Sequence, residues 1–226
     1  MLDTPEVVND FYTTPIDFSS NLLLLCHGHQ LWMRNKNEEP WHIDSSSQFT
    51  SCKIFRDCPM AMIGDSDGYV RLFDITKQMV TRYGKMHMKG IVCFEINHFK
   101  CFSGAKDSTV VELDIRMKHP ISSKTHDGIV CSIKLDPTHK KIAVGTDKNT
   151  VSVFDGRTSM CFAKHTASIK ALAWHPYKTN CVISGGGFGD GRLVMWDSFG
   201  GEIIKYSDRN DQMTSIHCYH DSIIAS

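Results

Sequence analysis

Three things are missing from this 226-residue sequence: a net charge, a long apolar run and a pattern of paired cysteines. Lys+Arg and Asp+Glu each number 25, so no global field draws the chain to nucleic acid or to a membrane surface, and a charged partner must be met by a local patch. The longest wholly apolar run, Leu22 to Cys26, falls far short of the roughly 20 residues a helix needs to cross a bilayer. The opening Met1-Leu2-Asp3-Thr4-Pro5-Glu6 is acidic, with no basic start and apolar stretch to read as a signal peptide. The nine cysteines are an odd number and form no Cys-x-x-Cys. Most, such as Cys93, Cys101, Cys131 and Cys181, sit inside apolar runs. Buried free thiols of a reducing compartment fit this better than a disulfide framework. The expectation is an intracellular soluble protein.

What the sequence does have is a period. An acidic or amide residue closes a short apolar strand at Asn35, Asp74, Asp114, Asp155 and Asp197, at intervals of 39, 40, 41 and 42 residues. An aromatic residue precedes three of the five, in Phe73-Asp74, Phe154-Asp155 and Trp196-Asp197. A repeat of about 40 residues with this ending is the mark of a WD-repeat β-propeller. Within each period, β-rich runs alternate with turn residues, as in Ile129–Leu135, the turn Asp136-Pro137-Thr138-His139, Ile142–Gly145, the turn Asp147-Lys148-Asn149, Val151–Asp155 and Met160–Phe162. Four short strands make one blade of a meander. The predicted fold is all-β: a single WD-repeat propeller domain over residues 1–226, with an opening segment over 1–15, about five full blades and the start of a sixth. Because the count stops inside a sixth unit, the ring is expected to be incomplete.

Three motifs invite a chemical reading. His87, His126 and His165 precede successive first strands and are followed by Asp107, Asp147 and Asp190. This predicts a buried hydrogen-bond network repeated from blade to blade, with the turn Asp as partner of each His. Ser184, His165 and Asp190 have the residue types of a catalytic triad, but a triad is defined by geometry, and recurrence of the pattern argues for structure. Cys26-His27-Gly28-His29 has metal-binding residue types, yet zinc needs about four ligands, usually as two spaced pairs; it reads as a strand end and turn, and no metal or cofactor is expected. Ser184-Gly185-Gly186-Gly187-Phe188-Gly189-Asp190-Gly191 is glycine-rich but lacks the Gly-Lys-Ser/Thr ending of a phosphate loop and precedes a strand.

Two segments go further. Leu2 to Trp32, with Leu2-Asp3-Thr4-Pro5, Asn9-Asp10-Phe11-Tyr12 and Asp17-Phe18-Ser19, resembles the opening of the Fizzy family, whose pattern runs Leu-Asp-Ala-Pro, Asp-Phe/Tyr-Tyr, Asp-Trp-Ser. His165 to Pro176 followed by Ile183 to Glu202 resembles that family's fifth blade, triple glycine included. The resemblance implies a seven-bladed, non-catalytic coactivator of the anaphase-promoting complex, a cell-cycle ubiquitin ligase, working in nucleus and cytoplasm. Its implied partners are ligase subunits, spindle-checkpoint proteins and substrates carrying a destruction box (Arg-x-x-Leu) or a Lys-Glu-Asn box, with no nucleic acid and no membrane. It places Asp10 opposite a destruction-box Arg and Asp17 in the Lys-Glu-Asn pocket, with Asp147 and Asn149 where the family has two asparagines and Phe188 where it has Thr. The family's basic arm and Ile-Arg tail, which dock on the ligase, are not within these residues, so this polypeptide alone is expected to present a substrate-reading surface only.

The residue chemistry suits this role. A carboxylate meeting a Lys or Arg makes a charge-assisted hydrogen bond worth about 1.5–3 kcal/mol, and Asn offers both donor and acceptor. Asp147 lacks the donor and repels a degron Glu, and Phe188 removes a hydroxyl from the rim. Two other classes stand beside the coactivator: a WD-repeat scaffold of another complex, and an enzyme built on a His/Cys/Asp cluster, which rests on residue types alone.

Overall fold

The structure, a computed structural model, describes all residues except 1–9, 20, 37, 118, 156–157, 209–210 and 220–221. The Leu2-Asp3-Thr4-Pro5 motif therefore lies outside the described residues. Contacts divide the chain into two compact units, 1–125 and 126–226. The first holds three four-stranded meanders. They are β1 (Ile16–Ser19), β2 (Leu22–His27), β3 (Gln30–Asn35) and β4 (Trp41–Asp44); β5 (Phe49–Ile54), β6 (Met60–Asp65), β7 (Tyr69–Asp74) and β8 (Met79–Lys85); and β9 (Ile91–Asn97), β10 (Lys100–Ala105), β11 (Thr109–Asp114) and β12 (Ser122–Thr125). The second holds β13 (Val130–Leu135), β14 (Ile142–Thr146), β15 (Thr150–Phe154) and β16 (Ser159–Ala163); β17 (Ala171–Trp174), β18 (Cys181–Gly185), β19 (Arg192–Asp197) and β20 (Ile203–Asp208); and the hairpin β21 (Ile216–Tyr219) and β22 (Ser222–Ala225). These are five antiparallel blades and a two-stranded sheet, and the periodic residues Asn35, Asp74, Asp114, Asp155 and Asp197 each end, or directly follow, a third strand.

The periodic carboxylate has a local cause. It accepts hydrogen bonds from backbone N–H groups of the turn that follows: Asp74 from Lys77 (2.9 Å), Asp114 from Arg116 (3.0 Å), Asp155 from Thr158 (2.7 Å) and Asp197 from Phe199 (3.0 Å). A short acceptor at a strand end satisfies backbone donors that the ladder leaves behind. The Arg116 guanidinium also binds Asp114, holding that carboxyl down at about 2.

Side chains alternate across a strand, yet the central strands of the second and fifth blades are buried on both faces. In the second blade Ala61, Ile63 and Phe73 face a cluster shared with Leu24, Leu31 and Met33 of the first blade. Their neighbours Met62 and Leu72 face a cluster shared with Ile91, Phe94 and Leu113 of the third. In the second unit Val182, Val194 and Trp196 of the fifth blade pack on Ala143, Val151 and Val153 of the fourth, while Ile183 and Met195 pack on Met213 and Ile216. Six of the nine cysteines are buried within these layers, Cys161 alone is exposed, and all are free.

Close blade approach needs glycine at one recurring place, the end of the second strand. A Cβ on Gly64 would overlap the Ile91 side chain, and one on Gly145 would overlap the Ile169 carbonyl. A side chain can turn aside, whereas a backbone carbonyl in a paired blade cannot. Gly145→Ala is therefore expected to cost about 1–3 kcal/mol by overpacking and to lower the urea midpoint without changing the slope, whereas Gly200→Ala, where a Cβ has room, should shift it far less. Equal midpoints for the two variants would contradict this blade spacing.

Candidate functional site

The His network forms in two of the three expected places. In the fifth blade His165 hydrogen-bonds Asp190 through Nδ1 and Ser184 Oγ through Nε2 (2.8 Å), and Trp196 Nε1–H donates to the same Oγ (2.8 Å). In the third blade His87 Nε2 meets Ser103 Oγ (2.8 Å), while Nδ1 meets Thr109 Oγ1 (2.8 Å) and Asp107 Oδ1 (3.2 Å). The Ser–His–Asp contacts have the connectivity of a triad, but Ser184 is 0% exposed and its oxygen is engaged by both His165 and Trp196. No substrate reaches it, and the same arrangement recurs in another blade.

The fourth blade departs from expectation, and Asp147 is the reason. In the second, third and fifth blades the turn Asp stands two residues before the third strand (Asp67, Asp107, Asp190), followed by a left-handed residue: Gly68 (φ 85°), Ser108 (φ 68°) and Gly191 (φ 59°). In the fourth blade the left-handed residue is Asn149 (φ 65°), so Lys148 holds the Asp slot and Asp147 stands one position earlier. Asp147 accepts from the Ile129 N–H (2.8 Å). The carboxylate for this blade comes instead from Asp127, which accepts from Thr150 Oγ1 (2.9 Å), and the His126 ring lies against Phe154. Counting back from the first β-branched residue of the strand would have shown this, because Asp107-Ser108-Thr109 is one residue shorter than Asp147-Lys148-Asn149-Thr150. In the second blade Ser45 stands where the third has His87, four residues before the first strand, and Asp67 accepts from the Ser47 hydroxyl (2.8 Å).

The five residues singled out for ligand binding fall in two groups. Asp147 and Asn149 lie on the β14–β15 turn and Phe188 on the β18–β19 loop, all in the second unit. The two loops are tied to one linker: Ile169 N–H donates to Thr146 O (3.0 Å) and Gly187 N–H to Ser168 O (2.9 Å). Phe188 is 86% exposed, an aromatic ring in water at a loop tip. Gly186 and Gly191 allow that loop, the first because the Asp190 carboxylate occupies the space of a Cβ and the second through its positive φ.

Asp10 and Asp17, in the first unit, are engaged within the chain. Asp17 Oδ1 accepts from Lys53 Nζ (3.2 Å) and Oδ2 from the Ile54 N–H (2.8 Å), which fastens β1 to β5. A ligand lysine at Asp17 would have to displace Lys53. Asp10 Oδ1 accepts from the Tyr12 N–H (3.0 Å), and Oδ2 pairs with Lys106 Nζ (2.9 Å). Lys53 and Lys106 were invisible as partners in the sequence, since they lie 36 and 96 residues away. The Cys26-His27-Gly28-His29 tract is the end of β2 and its hairpin turn, with Cys26 in the core.

Repeated four-stranded blades and this His–Asp–Ser network define a WD-repeat β-propeller protein. The WD domain, G-beta repeat model matches residues 118–155 and 156–197. The chain is 30% identical over 216 residues to the "APC/C activator protein CDH1" of Saccharomyces cerevisiae, covering 92% of this chain and 38% of that protein. It is 24% identical to the "Anaphase-promoting complex subunit cdc20" of Dictyostelium discoideum, with 96% and 46% covered. A chain in the crystal structure of the Mitotic Checkpoint Complex superposes with a TM-score of 0.92 at 24% identity, covering 99% of this chain and 72% of that one. The chain thus spans less than half the length of these two relatives. These similarities, which run along nearly the whole chain, are to WD-repeat proteins of the Fizzy type.

Burial pushes the His165 and His87 imidazoles below their ordinary 6.5, against the pull of Asp190 and Asp107. Below pH 6.5 the unfolded chain then binds more protons than the folded one, so stability present above that pH is lost as pH falls. The thermal midpoint is expected to drop between pH 7 and pH 5, and His87→Gln/His165→Gln should flatten that slope while lowering stability at pH 7. Separately, Ser184→Ala leaves His165 Nε2 and Trp196 Nε1 without their partner and should cost about 1–3 kcal/mol in denaturant unfolding.

Proposed function

We propose that the chain is the substrate-reading portion of a coactivator of the anaphase-promoting complex, working by binding and not by catalysis. The observation that carries this is similarity along 92% of the chain to a protein named an activator of that complex. The geometry supports a binding role. Polar and aromatic side chains stand on turns anchored to rigid blades, a common arrangement for recognition, while the Ser184–His165–Asp190 contacts are sealed from solvent. Several weak contacts to one substrate would raise its local concentration at the ligase. The partners in this reading are ligase subunits, spindle-checkpoint proteins and substrates with destruction-box or Lys-Glu-Asn motifs, in nucleus and cytoplasm.

In this reading the β14–β15 turn meets a Lys-Glu-Asn segment: Asn149 supplies donor and acceptor, Asp147 disfavours the Glu, and Phe188 offers apolar contact at the rim. Asp17 supports the surface by anchoring β1, and Asp10 serves a destruction-box Arg only when released from Lys106. Titration of a Lys-Glu-Asn peptide against the full-length protein tests this. Asn149→Ala should weaken binding about 10-fold, the equivalent of one net hydrogen bond, and Asp147→Asn should tighten it several-fold. Affinities unchanged in both variants would sink the turn assignment. Failure of the full-length protein to copurify with ligase subunits would favour a scaffold of another complex.

A further inference from the structure

In the first unit the segment Asp10–Pro15 lies across the edges of two sheets. It runs from the third blade back to the first and touches the innermost strands of the second and third on its way. Thr14 bridges in parallel to Ser51 of β5. Its N–H and its hydroxyl both donate to Val92 O of β9 (3.1 and 2.6 Å), and its carbonyl accepts from the Cys52 N–H (3.2 Å). Strands β5 and β9 are the edges of their sheets, and edge strands carry backbone donors and acceptors that no ladder uses. Thr14 takes one set from each.

Charge fixes the other end of the segment. Asp10 Oδ2 lies 2.9 Å from Lys106 Nζ, with the two side chains 21% and 37% exposed. Between Asp10 and Thr14 the chain makes a turn, Thr13 donating its N–H and its hydroxyl to Asp10 O (3.2 Å each). Only Thr13 of the six residues is buried; the others are half-exposed. A cavity of about 120 Å³ lies alongside, lined by Asp10, Thr13, Gln48, Phe49, Ser66 and Lys106. Pro15 O also accepts from the Cys26 N–H (2.7 Å), so the described contacts of the segment are directional polar ones, of the kind an extended peptide makes in strand addition.

We propose that the β5–β9 cleft is a docking site for an extended peptide with an acidic residue four positions before a Thr, and that the chain's own Asp10–Pro15 segment occupies it in cis. Backbone pairing at the two edge strands supplies affinity, as in strand addition. Lys106 supplies the choice of an acidic residue, since an amide or a base at that position forfeits the ion pair. The cis segment competes with the partner by mass action, so weakening it opens the cleft. This concerns the first unit alone and does not rest on the ligase reading.

The probe is a fluorescein-labelled peptide with the chain's own residues 9–16, Asn-Asp-Phe-Tyr-Thr-Thr-Pro-Ile, titrated into the full chain by fluorescence anisotropy. Asp10→Asn removes the cis carboxylate while keeping its shape, and should raise affinity for the probe about 10-fold. Adding Lys106→Met should remove that gain and most of the dependence on ionic strength, and a probe with Asn for its Asp should lose a similar factor against Asp10→Asn. Circular dichroism melts of each variant verify folding, and if Asp10→Asn melts early, the probe with Asn for its Asp still must bind wild type about 10-fold more weakly than the Asp probe. Equal binding of the probe to wild type and to folded Asp10→Asn, or equal binding of the Asp and Asn probes, would overturn the proposal. So would a concentration-dependent dimer of Asp10→Asn that the probe fails to dissolve, which would assign the cleft to a second copy of the chain.

Discussion

The fold depends on one constraint: the central strands of the second and fifth blades are buried on both faces, so each of these blades must be covered twice. Ile63 and Met62 are neighbours on β6, both fully buried, and they belong to different clusters. Val182 and Ile183 on β18 do the same in the second unit. A fully buried Val, Leu, Ile, Phe or Met is worth about 1.5–3 kcal/mol relative to exposure, and that gain exists only when a second blade stands within contact distance. The glycines that end the second strands, the approach of neighbouring inner strands and the burial of most cysteines all follow from this closeness.

Tight layers leave little room for unpaired polar groups, and the His networks answer that demand. An imidazole buried against a carboxylate and a hydroxyl is tolerated because each polar atom finds a partner. The networks also show how a local irregularity is absorbed. With Lys148 in the slot that Asp107 and Asp190 hold elsewhere, the fourth blade draws its carboxylate from Asp127 on the preceding loop. That shift leaves Asp147 at the position where the third blade has Lys106. The two blades therefore present opposite charges at equivalent turn positions, one already engaged by Asp10 and the other held by a backbone N–H.

Much of the fold was legible in the residues because its signals are local. The closing Asp repeats since each third strand ends in the same kind of turn, and an acceptor there serves backbone donors two or three residues away. Strand limits at Val130, Ile142 and Thr150 fell within a residue of the runs read from β-branched clusters and turn residues. The network partner of His126 was misassigned because residue type was matched and the one-residue offset before Thr150 was not counted. Cys26-His27-Gly28-His29 is a strand end and turn, as its local chemistry implied.

The candidate site was legible only in part, for a physical reason. Sequence alone determined the blade repeat, the turn that carries Asp147 and Asn149, and the loop that exposes Phe188, all set by interactions within about forty residues. Tertiary structure alone decided what the carboxylates do. Asp17 meets Lys53 and Ile54, and Asp10 meets Lys106, across separations of 36, 37 and 96 residues. A charge chooses its partner by distance in space, and that distance exists only after the blades have packed.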